Sequence, residues 1–140
     1  MAKYAAFGTT IYKGTSGAGV AIAQVQNISG PGLSLDTEDV TNHSSTGGWE
    51  EVVGTILRSG EVSLDLIYDP DDATQKYAAG GLLYDLVQKT ANTYTIVFPD
   101  SGSTEWVFSA LVTGFEPGMP HDGALTATAK MKITGHPTLA

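Results

Sequence analysis

Groups able to do chemistry are few in this chain and badly spaced for it. His43, His121 and His136 are the only histidines, and each stands in a polar or turn-rich stretch without a second ligand at close spacing. A three-histidine zinc centre would need all three to converge, so they are read as surface-loop residues. Glu50 and Glu51 could divide acid and base roles, but neighbours on a strand point to opposite faces, and nothing nearby sets either acid in an apolar pocket. A solvated pair is expected. Asp69-Pro70-Asp71-Asp72 begins like a calcium loop, yet Thr74 stands where that loop needs glycine and Gly80 where it needs a bidentate glutamate. Trp49 and Trp106 could stack on a sugar or a base. The nucleophile elbow, the phosphate loop and the HExxH zinc pattern are all absent, and the glycine-rich run Gly14 to Gly19 lacks the Lys-Ser or Lys-Thr that would clamp phosphate. With no cysteine, thiolate nucleophiles, disulfides and iron–sulfur ligation are excluded. The expectation is no enzyme, no metal and no cofactor.

The bulk composition excludes more. The chain has 140 residues, the size of one domain. Seven Lys and Arg against 15 Asp and Glu give a formal net charge of −8, so a large basic face for the nucleic-acid backbone cannot be built. Hydrophobic residues make up 41 % and charged residues only 16 %, a balance that supplies a core. The apolar run near Met1 is too short for a signal-peptide core, and no stretch reaches the length of a membrane span. A soluble protein made in the cytosol is expected, and Asn27-Ile28-Ser29 and Asn42-His43-Ser44 are then chance glycosylation matches.

Period-two alternation dominates the rest and predicts a mainly β fold. Strands are expected over Ala21–Ile28, Leu33–Val40, Glu61–Tyr68, Thr93–Phe98, Thr104–Phe115 and from Leu125 to Thr134. In Leu33–Val40, Ser34, Asp36 and Glu38 share a face that should meet water. Val62, Leu64, Leu66 and Tyr68 are expected to face a core, as are Tyr94, Ile96 and Phe98, and Leu125, Ala127, Ala129, Met131 and Ile133 share one face. Trp106, Phe108, Ala110 and Val112 alternate with Val107, Ser109 and Leu111, which predicts a strand covered on both sides. Between Asp71 and Lys89 the apolar spacing lengthens to that of a helix stripe, with Asp69 as N-cap and Pro70 at the first helical position.

Thr41 to Gly60 is a twenty-residue excursion between two strands, far longer than ordinary connections. Ordering it costs on the order of 20–40 kcal/mol of backbone entropy, with few evident contacts in one subunit to offset that. It is therefore expected to be mobile in the monomer and to order against another subunit, with Trp49, Val52, Val53, Ile56 and Leu57 as apolar anchors, Arg58 as charge partner and Glu50 beside them. An intramolecular lid or hairpin is the alternative.

Several strings in order resemble the major tail tube proteins of long-tailed (siphovirus-like) bacteriophages: Phe7-Gly8-Thr9-Thr10-Ile11-Tyr12, Val25 to Gly32, Asp39 to Ser45 with Gly48-Trp49-Glu50-Glu51, Leu66-Ile67-Tyr68-Asp69-Pro70, Ile96-Val97-Phe98-Pro99-Asp100 and Lys132 to Thr138. The resemblance spans nearly the whole chain. It implies a β-sandwich or partial barrel with one flanking helix, six copies forming a ring around a lumen, and rings stacking into a tube that conducts genomic DNA. It further implies a single domain over 1–140, with an N-terminal arm 1–12, an inter-ring loop 41–60 and a C-terminal arm 134–140, and a place in the virion after synthesis in the host cytoplasm. The implied partners are other copies of the chain, tape-measure, tail-terminator and distal tail proteins, and double-stranded DNA that passes without specific binding; no membrane partner is implied. An acidic lumen would repel DNA rather than hold it, and Ser34, Asp36, Glu38, Ser63 and Asp65 are the candidates to line it. A secretion-system tube protein of similar shape, or a monomeric carbohydrate-binding or decorating β-sandwich, are the rival readings.

Overall fold

A computed structural model describes residues 3–14 and 19–139. Among these residues nine strands and one α-helix follow in the order β1 Thr10–Lys13, β2 Val20–Ala21, β3 Val25–Ser29, β4 Ser34–Asp39, β5 Val52–Arg58, β6 Glu61–Ile67, α1 Leu82–Gln88, β7 Asn92–Val97, β8 Glu105–Gly118 and β9 Thr126–Leu139. Seven of the strands form one curled antiparallel sheet in the order β2-β1-β7-β8-β9-β6-β3, and β4 and β5 form a separate two-stranded sheet. The curl brings edge strand β3 opposite the start of β8 across a cleft that residues 4–9 help to line.

Alternation does what it predicts. Val62, Leu64, Leu66, Tyr94, Ala129 and Met131 are fully buried, and Ile11, Ile96, Phe108, Ala110, Val112 and Ile133 nearly so. They form one cluster with Leu82, against which Leu86 also packs, so α1 covers this face of the sheet. The opposite face is polar. Register places Glu61 opposite Lys132, Ser63 opposite Lys130 and Asp65 opposite Thr128. Val107, Ser109 and Leu111 are only partly covered, so β8 is buried on one side in the single chain and not on both, as its alternation suggests.

The helix is much shorter than expected. Gly80 takes φ +97°, and a Cβ on Gly81 would fall 1.9 Å from the Lys76 carbonyl oxygen, so the glycine pair interrupts the helix and α1 begins after it. Asp69 and Asp72 cap no helix. Their carboxylates accept bonds from the backbone N–H groups of Asp71 and Thr74 in two successive Asx turns. The turns are fastened by Gln75, which is fully buried. Its Oε1 accepts from Asp69 N at 2.9 Å, while Nε2 donates to Ala23 O at 2.8 Å and Ile67 O at 3.2 Å.

Both expected arms begin or end inside the sheet. Residues 10–12 belong to β1, where Ile11 is 1 % exposed, and β9 continues to Leu139 opposite Trp106. Residues 3–9 and the hairpin β4–β5 lie outside the seven-stranded sheet.

Candidate assembly surface

Part of the expected excursion, Val52–Arg58, is strand β5, paired with β4 through Ser34–Arg58, Leu35–Leu57, Thr37–Gly54, Glu38–Val53 and Asp39–Val52. Pairing continues to Val40, whose N–H donates to Glu51 O at 2.9 Å. The tip closes through a 3-10 turn at Thr46–Gly48. Thr41 Oγ1 accepts from Glu51 N at 2.8 Å, and Asn42 N donates to Ser45 Oγ at 3.0 Å. The intramolecular hairpin is thus the arrangement found, because the β-branched residues of β5 can answer the backbone groups of β4. Gly54 breaks the alternation that would have revealed the strand. A Cβ there would sit 3.0 Å from the Leu35 side chain.

The hairpin satisfies its backbone but not its side chains. Trp49 is 78 % and Leu57 76 % exposed, and Val52, Val53 and Ile56, together with Leu33 and Leu35, are also uncovered. A free two-stranded hairpin is marginal in water, and these side chains leave it with little burial of its own. At its base Gly60, with φ +73°, lets the chain cross Gly32, whose carbonyl oxygen would lie 2.5 Å from a Cβ. Beside that crossing, Leu35, Ile56 and Leu57 face Pro137 and Leu139 of β9 across an open apolar groove, and Ser59 Oγ donates to Gly135 O at 3.1 Å.

Ser34, Asp36 and Glu38 fall on the face opposite to Leu35 and Leu57, a face that Val53, paired with Glu38, shares. Arg58 bonds Asp36 within it, Nε to Oδ2 at 2.9 Å and Nη2 to Oδ2 at 2.8 Å. The cation expected to serve another copy is here paired with an acid expected to line a lumen. Both partners are largely exposed, so the pair orients the strands more than it stabilises them. Asp39 is held below the usual carboxylate range by the Thr41 hydroxyl and backbone N–H.

Ser63 and Asp65 lie elsewhere, on β6 in the large sheet. Asp65 accepts from Asn27 Nδ2 at 3.4 Å and from Thr128 Oγ1 at 3.3 Å. Lys130 and Lys132 share that face, so it is mixed in charge, which the alternation of β6 alone could not reveal. The five lumen candidates therefore divide between two sheets. His43 and His121 are exposed in loops, and His136 is exposed on β9. No three acidic or imidazole side chains among the described residues gather as a metal site would require. No helix among them is long and apolar enough to cross a membrane.

The model of a family described as lambda phage tail tube protein matches residues 4–140. No curated protein matches the chain. Among solved structures it is similar to a chain in the virion of a native gene transfer agent particle, with 18 % identity, TM-score 0.75 and 99 % of both chains covered. A chain in the tail of an empty gene transfer agent particle, refined with C6 symmetry, gives 20 % identity and TM-score 0.71 over 94 % of each chain. A chain of an extracellular contractile injection system, in its sheath/tube terminator, gives 14 % identity and TM-score 0.73 over 100 % of this chain and 98 % of that one.

Proposed function

This chain belongs to the lambda phage tail tube protein family, and from that premise we propose that it acts as a structural virion protein whose copies close into six-membered rings and stack into a conduit for DNA. The observation that carries the reading is the hairpin β4–β5, which lies outside the large sheet and leaves apolar side chains of both strands exposed. Burial by neighbouring copies removes that deficit, and a closed ring also removes the open sheet edges at β2 and β3. Six-fold closure is suggested by the C6 tail to which the chain is similar in fold.

In this reading Trp49, Glu50, Val52, Val53, Ile56, Leu57 and Arg58 meet the next ring. The polar face of β6 and β9 and the acidic face of β4 are the surfaces offered to the lumen. Tape-measure, terminator and distal tail proteins would meet the ends of the tube, and synthesis would take place in the host cytoplasm. The fold also occurs in contractile injection systems, and the family match is what favours a phage tail over a secretion tube.

Negative-stain microscopy and sedimentation of the purified chain test the proposal. Rings or long tubes that grow with concentration are expected. A protein that stays monomeric at high concentration, with tails of ordinary length still formed when its gene is disrupted, would overturn it.

A further inference from the structure

Lys13, Asp85 and Tyr94 meet inside the core, and no assembly contact proposed above uses them. Lys13 Nζ stands 2.7 Å from Asp85 Oδ2, with side chains 20 % and 6 % exposed. Tyr94 is fully buried and donates its hydroxyl to the same oxygen at 3.3 Å. Its ring packs on Phe108, with centroids 6.2 Å apart, and Leu82, in the same helix as Asp85, is fully buried as well. Register sets Lys13 directly opposite Tyr94. One amine, one phenol and one carboxyl group, from β1, β7 and α1, thus converge on a single oxygen atom.

In water an amine and a carboxylic acid remain ammonium and carboxylate, because both ions are well hydrated. Burial strips that hydration, whereas an amide carries no charge to be hydrated. A nitrogen held in contact with the carboxyl group also replaces a chance encounter with a step inside one molecule, an advantage of many orders of magnitude where the reacting atoms are aligned. A hydroxyl bonded to the oxygen that must depart can act as general acid toward it. The cluster supplies all three conditions.

We propose that Lys13 and Asp85 condense in the folded chain to a side-chain isopeptide bond that ties β1 to α1. The ion pair is the starting state. Lys13 passes one proton to Oδ2, and its freed lone pair forms the Nζ–Cγ bond while negative charge moves to Oδ1. Tyr94 gives its proton to Oδ2 as the Cγ–Oδ2 bond breaks, and it is restored by the proton that the nitrogen sheds. Oδ2 leaves as water past the partly exposed Lys13 side chain, and Oδ1 becomes the amide carbonyl. The product relieves the core of two buried charges and closes residues 13 to 85 into a covalent ring, so β1 cannot peel from the sheet without the helix.

Trypsin digestion of the denatured full chain reads the bond directly. The cross-linked chain should yield Tyr4–Arg58 joined to Tyr77–Lys89, uncut after Lys13 and lighter than the two parts by one water. Wild-type chain incubated in the folded state should move toward an intact mass lower by one water. Lys13→Arg should keep its full mass, and Tyr94→Phe should convert about a hundredfold more slowly. Conversion of Tyr94→Phe at the wild-type rate overturns the part given to the hydroxyl. Wild-type chain that gives only separate peptides ending at Lys13 and at Lys89, after weeks in the folded state, overturns the bond itself. So does a mass lower by one water with those two peptides still separate, which places the dehydration elsewhere. The deciding peptide comes from the wild-type chain, whether or not either variant folds.

Discussion

Lys13 Nζ lies 2.7 Å from Asp85 Oδ2, and the pair ties β1 to the first turn of α1 beneath the surface, with side chains 20 % and 6 % exposed. Tyr94, directly opposite Lys13 in the sheet, donates its hydroxyl to the same carboxylate oxygen at 3.3 Å. Replacing Lys13 with methionine would strand a buried carboxylate. A loss of about 3 kcal/mol in urea unfolding is expected, and a loss below about 1 would show that Asp85 is served by water instead.

The same cluster predicts an alkaline limit. Burial pushes the Tyr94 hydroxyl well above its ordinary value, and the Asp85 carboxylate adds to the shift. A group whose folded value is raised contributes its full stability below the unfolded pKa, here about 10, and loses it as pH rises beyond. Tyr94→Phe should be less stable than wild type at pH 8, by about 1–2 kcal/mol for the lost bond, and the gap should narrow as pH climbs past 10. Parallel unfolding curves across that range would contradict the shift.

Gln75 carries the strongest local prediction. It is fully buried and bonds three backbone groups from two segments, Ala23 on one side and Ile67 and Asp69 on the other, so Gln75→Leu would leave a donor and two acceptors without partners. A cost of about 2–4 kcal/mol is expected, together with faster amide exchange over residues 69–81.

The sequence is legible where one face of a strand is buried and one is wet. Leu64 and Leu66, or Ala129 and Met131, announce their side by alternation alone. It fails where tertiary bonds replace local signals. Asp69-Pro70 has every mark of a helix start, but the Gly80 backbone is left-handed and the Gln75 side chain ties the segment as turns to Ala23 and Ile67. β1 is too short to alternate visibly, and Gly54 interrupts β5. On the hairpin, the exposed apolar residues are readable as residues lacking partners. Their pairing with β4, the Asp36–Arg58 bond and the lysines facing Asp65 depend on register, which no single segment encodes.

Trp49 separates subunit stability from assembly. At 78 % exposure it contributes little to the folded monomer, so Trp49→Ala should unfold within about 0.5 kcal/mol of wild type and yet fail to form tubes. Sedimentation and thermal melting read the two effects separately. A variant that melts many degrees lower would place the indole in the subunit's own core.

The polar face of β6 and β9 allows a test of which surface DNA passes. Ser63, Asp65 and Thr128 share it with Lys130 and Lys132, and Glu61 stands opposite Lys132, so its charges nearly cancel and a phosphate backbone finds no continuous cationic track. Asp65→Lys would place a third lysine there without touching the core, since Asp65 is exposed. If this face lines the lumen, particles carrying Asp65→Lys should assemble normally but release DNA more slowly. The delay should shrink as salt rises, because each added phosphate contact steepens the salt dependence by about one unit of log K per log salt. If the face points outward, release is unchanged at every salt concentration, and the acidic face of β4 becomes the surface to alter next, through Glu38, which unlike Asp36 has no ion pair within the hairpin.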